Sequence, residues 1–439
     1  MATDALLNNV WVLIAALLVF AMTVAVGLLE IGELGGSLNR SLLKTLLMSG
    51  LALVVMAIVG FNIGFAPTWG GLIGNPFYAT GFFLGGFTPN VATVFGNPWW
   101  SMGPGYLNTG LYPGTYFLFE AAFASVTLAL VGVVVLRKVK LTAFAVYSVV
   151  YFAVIWTIPA AWIWNPSGWL AKLGMVDFAG GLVVHAAAGA AGLAIVAVIW
   201  REEKRRGAVR SPPIPLKIQP GWLALAMLLL WMGWFGFNPG SVLQFNSETV
   251  VVVLTTFLAA SAGMISLLGV QFARGRSLAD LPTAVNGALM GLIVITPLAG
   301  FVSPGSALIL GLLAGPVFAI AERQFAKVRW FSDPVGLFPG HMVGGIFGIA
   351  MIPVFAQGGF ASGSGYPNLP NGLLFGGGMA AVRQFGIEFL GVAAVMATVF
   401  VLSWVTMGII ARSMGGLLVS EVPHPAQRTL EASSPAPVT

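Results

Sequence analysis

The sequence predicts an all-α polytopic membrane protein of eleven transmembrane helices, and three observations lead there. Hydrophobic residues make up 58% of the 439 and charged ones only 8%, where soluble domains carry about 25% charged residues. Uncharged stretches are long: nothing between Lys44 and Glu120 is ionised, while a hydrocarbon core takes about 20 apolar residues per helix. The remaining charges sit in short clusters between apolar runs, as topology signals do. One soluble domain is thereby excluded. The net charge of +6 reads as membrane orientation and not as affinity for nucleic acid. With no Cys in the chain, disulfide frameworks, thiolate metal sites and thiol nucleophiles are ruled out.

The first span is predicted near 10–30. The opening MATDALLNN lacks the basic stretch of a secretory signal, and the apolar run that follows is too long for one. Hydropathy places the other spans near 43–64, 115–136, 141–164, 180–200, 219–237, 248–272, 283–300, 303–321, 340–356 and 385–411. With the N-terminus outside and strict alternation, the inner side holds 18 of the 20 Lys and Arg. These run from Arg40 and Lys44 through Arg137, Lys138 and Lys140 to Arg412 and Arg428, and only Lys172 and Arg383 fall outside. A wrong span count would scramble that asymmetry, so an N-out/C-in topology is expected. The stretch 65–114 is uncharged and rich in Gly, Pro, Asn and aromatics, among them Trp99, Trp100, Tyr106 and Tyr112, which suits an ordered interfacial cap.

A repeat links two of the spans. Asp177 is followed by His185 and Gly189, and Asp333 by His341 and Gly345, both in the pattern D-x7-H-x3-G. The copies open spans five and ten, which run in opposite directions. That is the signature of two inverted five-helix halves related by an axis in the membrane plane, plus an eleventh helix. We therefore expect a transmembrane domain over 1–412, with repeat one at about 8–200, repeat two at about 219–356 and helix eleven at about 385–411. A short cytoplasmic tail, 413–439, follows.

Ionisable residues inside a membrane are costly and usually functional. His185 and His341 lie inside their spans at matching positions, whereas His424 falls in the polar tail. Taken singly, either histidine would fit a packing role; at equivalent repeat positions they point to a pair meeting near the midplane. Neutral imidazole donates and accepts a hydrogen bond, so such a pair suits a small polar solute. Two ligands with no Cys or nearby carboxylate make an incomplete metal site, and neither a metal nor a cofactor is expected. Asp177 and Asp333 begin their helices, where a carboxylate caps backbone N–H groups; orienting a cation site is the alternative for Asp177. Aromatics such as Phe119, Phe123, Trp164 and Phe237 fit packing or a cation-holding pore mouth, and spacing does not choose between these.

The motifs then show a resemblance. Asp177-Phe-Ala-Gly-Gly-Leu-Val-Val-His185, Gly233-Trp-Phe-Gly-Phe-Asn-Pro-Gly-Ser241 and Ile295-Thr-Pro-Leu-Ala-Gly300-Phe-Val-Ser-Pro resemble signatures of the ammonium transporter (Amt/Mep/Rh) family. So do Asp333-Pro through Gly340-His341-Met-Val-Gly-Gly345, and Gly372-Leu-Leu-Phe-Gly-Gly-Gly378, in the family's order over about 115–412. The resemblance implies a homotrimer in the inner membrane with one pore per subunit, a transporter and not an enzyme. It implies pore histidines at His185 and His341, outer recruitment of ammonium at Phe119, Trp164 and Ser241, a gate of Phe123 and Phe237, and Asp177 beneath the outer site. Ammonium would be deprotonated there and ammonia would pass the histidines.

The sequence departs from the family in several places. The first helix ends Leu28-Leu29-Glu30-Ile-Gly, where Phe-Tyr-Gly-Gly is commoner; Glu120 stands where Gln is usual; Arg137 replaces a Glu; and Gly336 replaces a second Asp. Glu120 would add a carboxylate to the outer vestibule, or else sit as an interfacial acid with no role in transport. After Val419-Ser-Glu421 the tail loses the family pattern, which argues against regulation through it, including trimer cross-talk and binding of a P-II-type regulator. Two other functions stay open: a channel for methylammonium or CO2, and an ammonium sensor acting through a separate partner.

Overall fold

A computed structural model of the chain describes residues 2–77, 109–135, 137–333 and 335–419. Among them are eleven helices long and apolar enough to cross a membrane: α1 Asp4–Leu34, α2 Leu38–Phe65, α3 Gly114–Val133, α4 Leu141–Ile163, α5 Gly181–Arg205, α6 Pro220–Gly240, α7 Ser247–Ala273, α8 Leu281–Leu298, α9 Pro304–Phe325, α10 Leu337–Phe355 and α11 Gly378–Ser413. Backbone polar groups find no water in hydrocarbon, so spanning segments close their hydrogen bonds within the helix. The starts are locally encoded. Proline stands in the first turn of α6, α8 and α9, where its missing N–H costs nothing. Asn246 and Thr249 form a reciprocal capping box at the head of α7.

Several helices outrun the sequence expectation. The first begins at Asp4 and not near 10, α5 continues to Arg205 and not 200, and α11 covers 378–413 in place of 385–411. Hydropathy falls as soon as polar residues enter, but helix propensity does not: Arg, Glu and Lys are good helix formers, so Arg201-Glu202-Glu203-Lys204 extends α5 beyond its apolar part. Lys44, counted with the loop charges in the sequence, sits inside α2 and is buried.

The helices at the head of each half pack together: α1 makes its most extensive contact with α6, and α7 is held between α8 and α9. Helices α5 and α10 lie inward and touch each other. The connection after α2 turns through a two-stranded antiparallel hairpin, β1 Thr68–Trp69 and β2 Ile73–Gly74. It docks on the end of α4, where Thr68 bonds Ser167 at 2.8–2.9 Å. The rest of the expected cap, with Trp99, Trp100 and Tyr106, and the tail with His424 and Arg428 lie outside the described residues.

Candidate functional site

The two copies of the Asp–His–Gly motif fold alike. Asp177 accepts N–H bonds from Gly180 and Gly181 on Oδ1 (3.0 and 2.7 Å) and from Leu182 and Val183 on Oδ2 (2.8 and 2.9 Å). Asp333 accepts from Leu337 and Phe338 (3.0 and 2.8 Å). Both carboxylates therefore cap their helices. Burial pushes each above the usual aspartate range against the pull of these amides, Asp333 to about 6. Each chain then turns through a left-handed glycine, Gly180 at φ +105° and Gly336 at φ +71°, a conformation that Cβ disfavours. The second position is the one where the family's Asp is missing, and its backbone angle accounts for the glycine.

Each helix opens with a wide π-helical turn, Gly181–Ala186 and Leu337–Met342, and each turn carries its histidine. Such turns are rare and cluster at functional sites. The motif's last glycines let the two helices cross closely: a Cβ on Gly345 would fall on the Gly181 carbonyl, and one on Gly189 would meet Met342.

This crossing brings the histidines together. His185 Nδ1 and His341 Nδ1 are 3.1 Å apart and buried. One ring must donate and the other accept, so the two rings hold opposite tautomers. His185 is 1% exposed, and its Nε2 has no partner among the described residues. Its ring stacks on Phe237 and on Trp234, both at 5.6 Å. Trp234 is anchored by a 3.0 Å bond from its indole N–H to Thr296.

Above His185 the aromatics continue in a column. Phe237 lies 4.3 Å from Phe123, and Phe123 lies 4.7 Å from Phe119 and 5.8 Å from Trp164. The Trp164 indole donates to the Asp177 carbonyl at 2.7 Å, and the Ser241 hydroxyl to the Phe237 carbonyl at 2.8 Å. The column opens into a vestibule of about 820 Å³ whose walls include Phe119, Glu120, Phe123, Trp164 and Ser241. Asp177 is not among its lining residues and faces the backbone instead. The structure thus brings Phe119, Glu120, Phe123, Trp164 and Ser241 together at the vestibule and Phe237, His185 and His341 below it, with Asp177 behind the vestibule wall.

Glu120 is 4% exposed and faces the vestibule beside Tyr116; its Oε2 has no partner among the described residues. Lys172 and Arg383, the two cations that the topology count left outside, both stand on the vestibule wall.

Three features escaped the sequence reading. Trp234 under His185 and Tyr366 on the vestibule wall carry no distinguishing spacing among 14 Trp and 7 Tyr. Glu388, buried in α11, accepts the Val176 N–H at 3.1 Å and the Gln384 amide at 2.7 Å. That one was findable: a lone carboxylate in an apolar span marks a site by default.

Comparison with known proteins bears on the family and the fold. The Ammonium Transporter Family matches residues 10–425. An ammonium transporter of Bacillus subtilis (strain 168) is 29% identical over 417 residues, covering 92% of each chain. The crystal structure of Saccharomyces cerevisiae Mep2 aligns with a TM-score of 0.78 at 24% identity, covering 96% of this chain and 90% of that one, and bears on the fold alone. A structure described as a Sensor Amt Protein aligns with a TM-score of 0.79 at 27% identity, covering 99% of this chain and all of the other.

Proposed function

The chain belongs to the ammonium transporter family, and on that premise we propose how it moves ammonium across the membrane. Ammonium is held in the vestibule among Phe119, Trp164 and Ser241, where aromatic faces attract a cation. It gives up its proton at the Phe123–Phe237 constriction, and ammonia passes His185 and His341. The vestibule faces outward, which puts the N-terminus outside and the C-terminus in the cytoplasm of an inner-membrane protein. The spread of Lys and Arg supports that orientation. Assembly as a homotrimer is part of the proposal, and the exposed apolar Leu6, Val10, Ile14 and Leu17 of α1 suit a surface facing lipid or a second subunit.

The Nδ1–Nδ1 contact of 3.1 Å carries this reading. Two neutral imidazoles share one hydrogen there. Protonating the accepting ring would set two N–H donors against each other, protonating the donating ring would leave a buried charge with no counter-ion beside it, and an isolated buried charge is costly. A cation thus meets a barrier at the pair, while a neutral hydrogen-bonding solute finds the free Nε2 of His185.

The test is reconstitution in liposomes, recording current and interior pH on an ammonium jump for wild type, His185→Ala and His341→Ala. Absence of any ammonium-dependent flux in wild type would sink the proposal. Flux unchanged in both variants would sink the role of the histidines. The likeness to a Sensor Amt Protein over the whole chain supports a second reading, in which ammonium binding is signalled to a separate partner. Saturable ammonium binding without flux is the result that reading requires.

A further inference from the structure

Two of the departures from the family pattern meet in space. Glu30, at the end of α1 remote from the vestibule, takes Arg137 Nε at 3.5 Å and Lys44 Nζ at 3.2 Å, both on Oε1. Ser41 donates to Oε2 at 2.8 Å, and Arg137 also bonds the Gly35 carbonyl. A carboxylate gained on α1 and a cation gained after α3 thus form one cluster.

The charges in that cluster do not balance. Glu30 answers both Lys44, which is buried, and Arg137, while Arg40 stands exposed at the mouth with no carboxylate partner among the described residues. Three cations and one carboxylate, with Ser37 and Ser41, line a cavity of about 250 Å³. The start of α2 opens onto it, and a helix N-terminus adds partial positive charge. Three cations against one carboxylate leave a net positive charge around the cavity, a field that favours an anion there. At about 30 Å³ per water, the space admits a phosphate group with some of its hydration. On α2 beyond the cavity, Leu43, Leu46 and Leu47 are exposed, a surface along which acyl chains can lie.

We propose that Arg40, Lys44 and Arg137 form an anion site that binds a phosphate group at this end of the bundle. The phosphate comes from an anionic lipid headgroup or from free phosphate; both offer the same oxygens to guanidinium and ammonium donors.

The experiment uses full-length protein in neutral detergent and follows its thermal unfolding. Phosphatidylglycerol, phosphatidylcholine with the same acyl chains, and inorganic phosphate against chloride at equal ionic strength are titrated into wild type, Arg40→Gln and Arg137→Gln. Phosphatidylglycerol is expected to stabilise the wild type where phosphatidylcholine does not, with apparent affinity about fivefold weaker in Arg40→Gln. Stabilisation by inorganic phosphate to the same extent also supports the site and names free phosphate as its ligand. Equal responses to the anionic and neutral additives overturn the proposal, and so do variants that respond as wild type does. Arg40→Gln decides the matter even if Arg137→Gln fails to fold, because its exposed side chain holds no ion pair. That variant should keep wild-type ammonium flux in neutral lipid.

Discussion

Replacing Phe123 by Ala removes the ring that separates the vestibule from the buried column below it. The ring is 1% exposed and lies within 6 Å of three other aromatics, Phe119, Trp164 and Phe237. In a sealed core, Phe→Ala costs about 3–5 kcal/mol. Roughly 1.5–3 kcal/mol of that is transfer of the ring from water, and the rest comes from the void left behind. Here no sealed void would remain, because Phe123 itself borders the 820 Å³ vestibule and water can fill the space. The structure therefore predicts a loss near the transfer part alone, about 1.5–3 kcal/mol. Unfolding in detergent measures it. If Phe123 and Phe237 form the proposed constriction, the same variant in liposomes should raise the ratio of methylammonium to ammonium flux, since one of its two rings is gone. A loss of 3–5 kcal/mol with an unchanged flux ratio would show Phe123 to be a core side chain and refute its role as a gate.

Four further outcomes are expected. Gly345→Ala puts a Cβ on the Gly181 carbonyl and 3.0 Å from the Ala186 nitrogen; backbone cannot give way, so a loss of about 1–3 kcal/mol or more should accompany reduced flux. Gly386→Ala, inside α11 with no neighbour within 4 Å, is its control by the same unfolding assay and should gain about 0.5–1 kcal/mol. Asp333, whose folded-state pKa is raised to about 6, binds its proton more tightly in the folded chain. Stability should rise by about 1 kcal/mol between pH 7 and pH 5, and Asp333→Asn should remove that increment in thermal melts. Glu120→Gln should raise the ammonium concentration giving half-maximal flux, and an unaltered concentration dependence would make Glu120 a bystander. Glu30→Gln leaves the buried Lys44 without its counter-charge and should cost about 3–5 kcal/mol; adding Lys44→Met should recover much of it in chemical unfolding.

The eleven helices were legible because hydropathy averages over some twenty residues, and lipid enforces the average. Their ends were less so: Arg201 to Arg205 lowers the apolar average while favouring helix, so α5 outran its window. The histidines were legible because the repeat spacing survives in one dimension. What joins them was not. A π-helical turn at Gly181–Ala186 leaves no mark on composition, and the left-handed geometry at Gly336 shows in sequence only as a lost Asp. The pairing of Glu30 with Arg137 was visible only as two unrelated departures, since nothing local tells which distant side chain will compensate a charge. Trp234 beneath His185 was hidden for the opposite reason, being one of many identical residues whose packing role is the default.

The symmetry that places the histidines face to face also makes its own breaking informative. Equivalent Asp, Gly, His and Gly residues build both turns, yet the two sides of the pair differ. His185 is 1% exposed and stacked on Phe237 and Trp234, whereas His341 is 8% exposed and carries no such stack among the described residues. The aromatic column and the vestibule stand on the His185 side, and the end marked by Glu30 has cations instead. On the mechanism proposed above, a scaffold of two inverted halves presents the same histidine pair to a neutral solute from either side. The unequal side chains distinguish the two ends: aromatic faces and Glu120 stand on the His185 side, where the proposed mechanism holds ammonium, and cations line the cavity at the other.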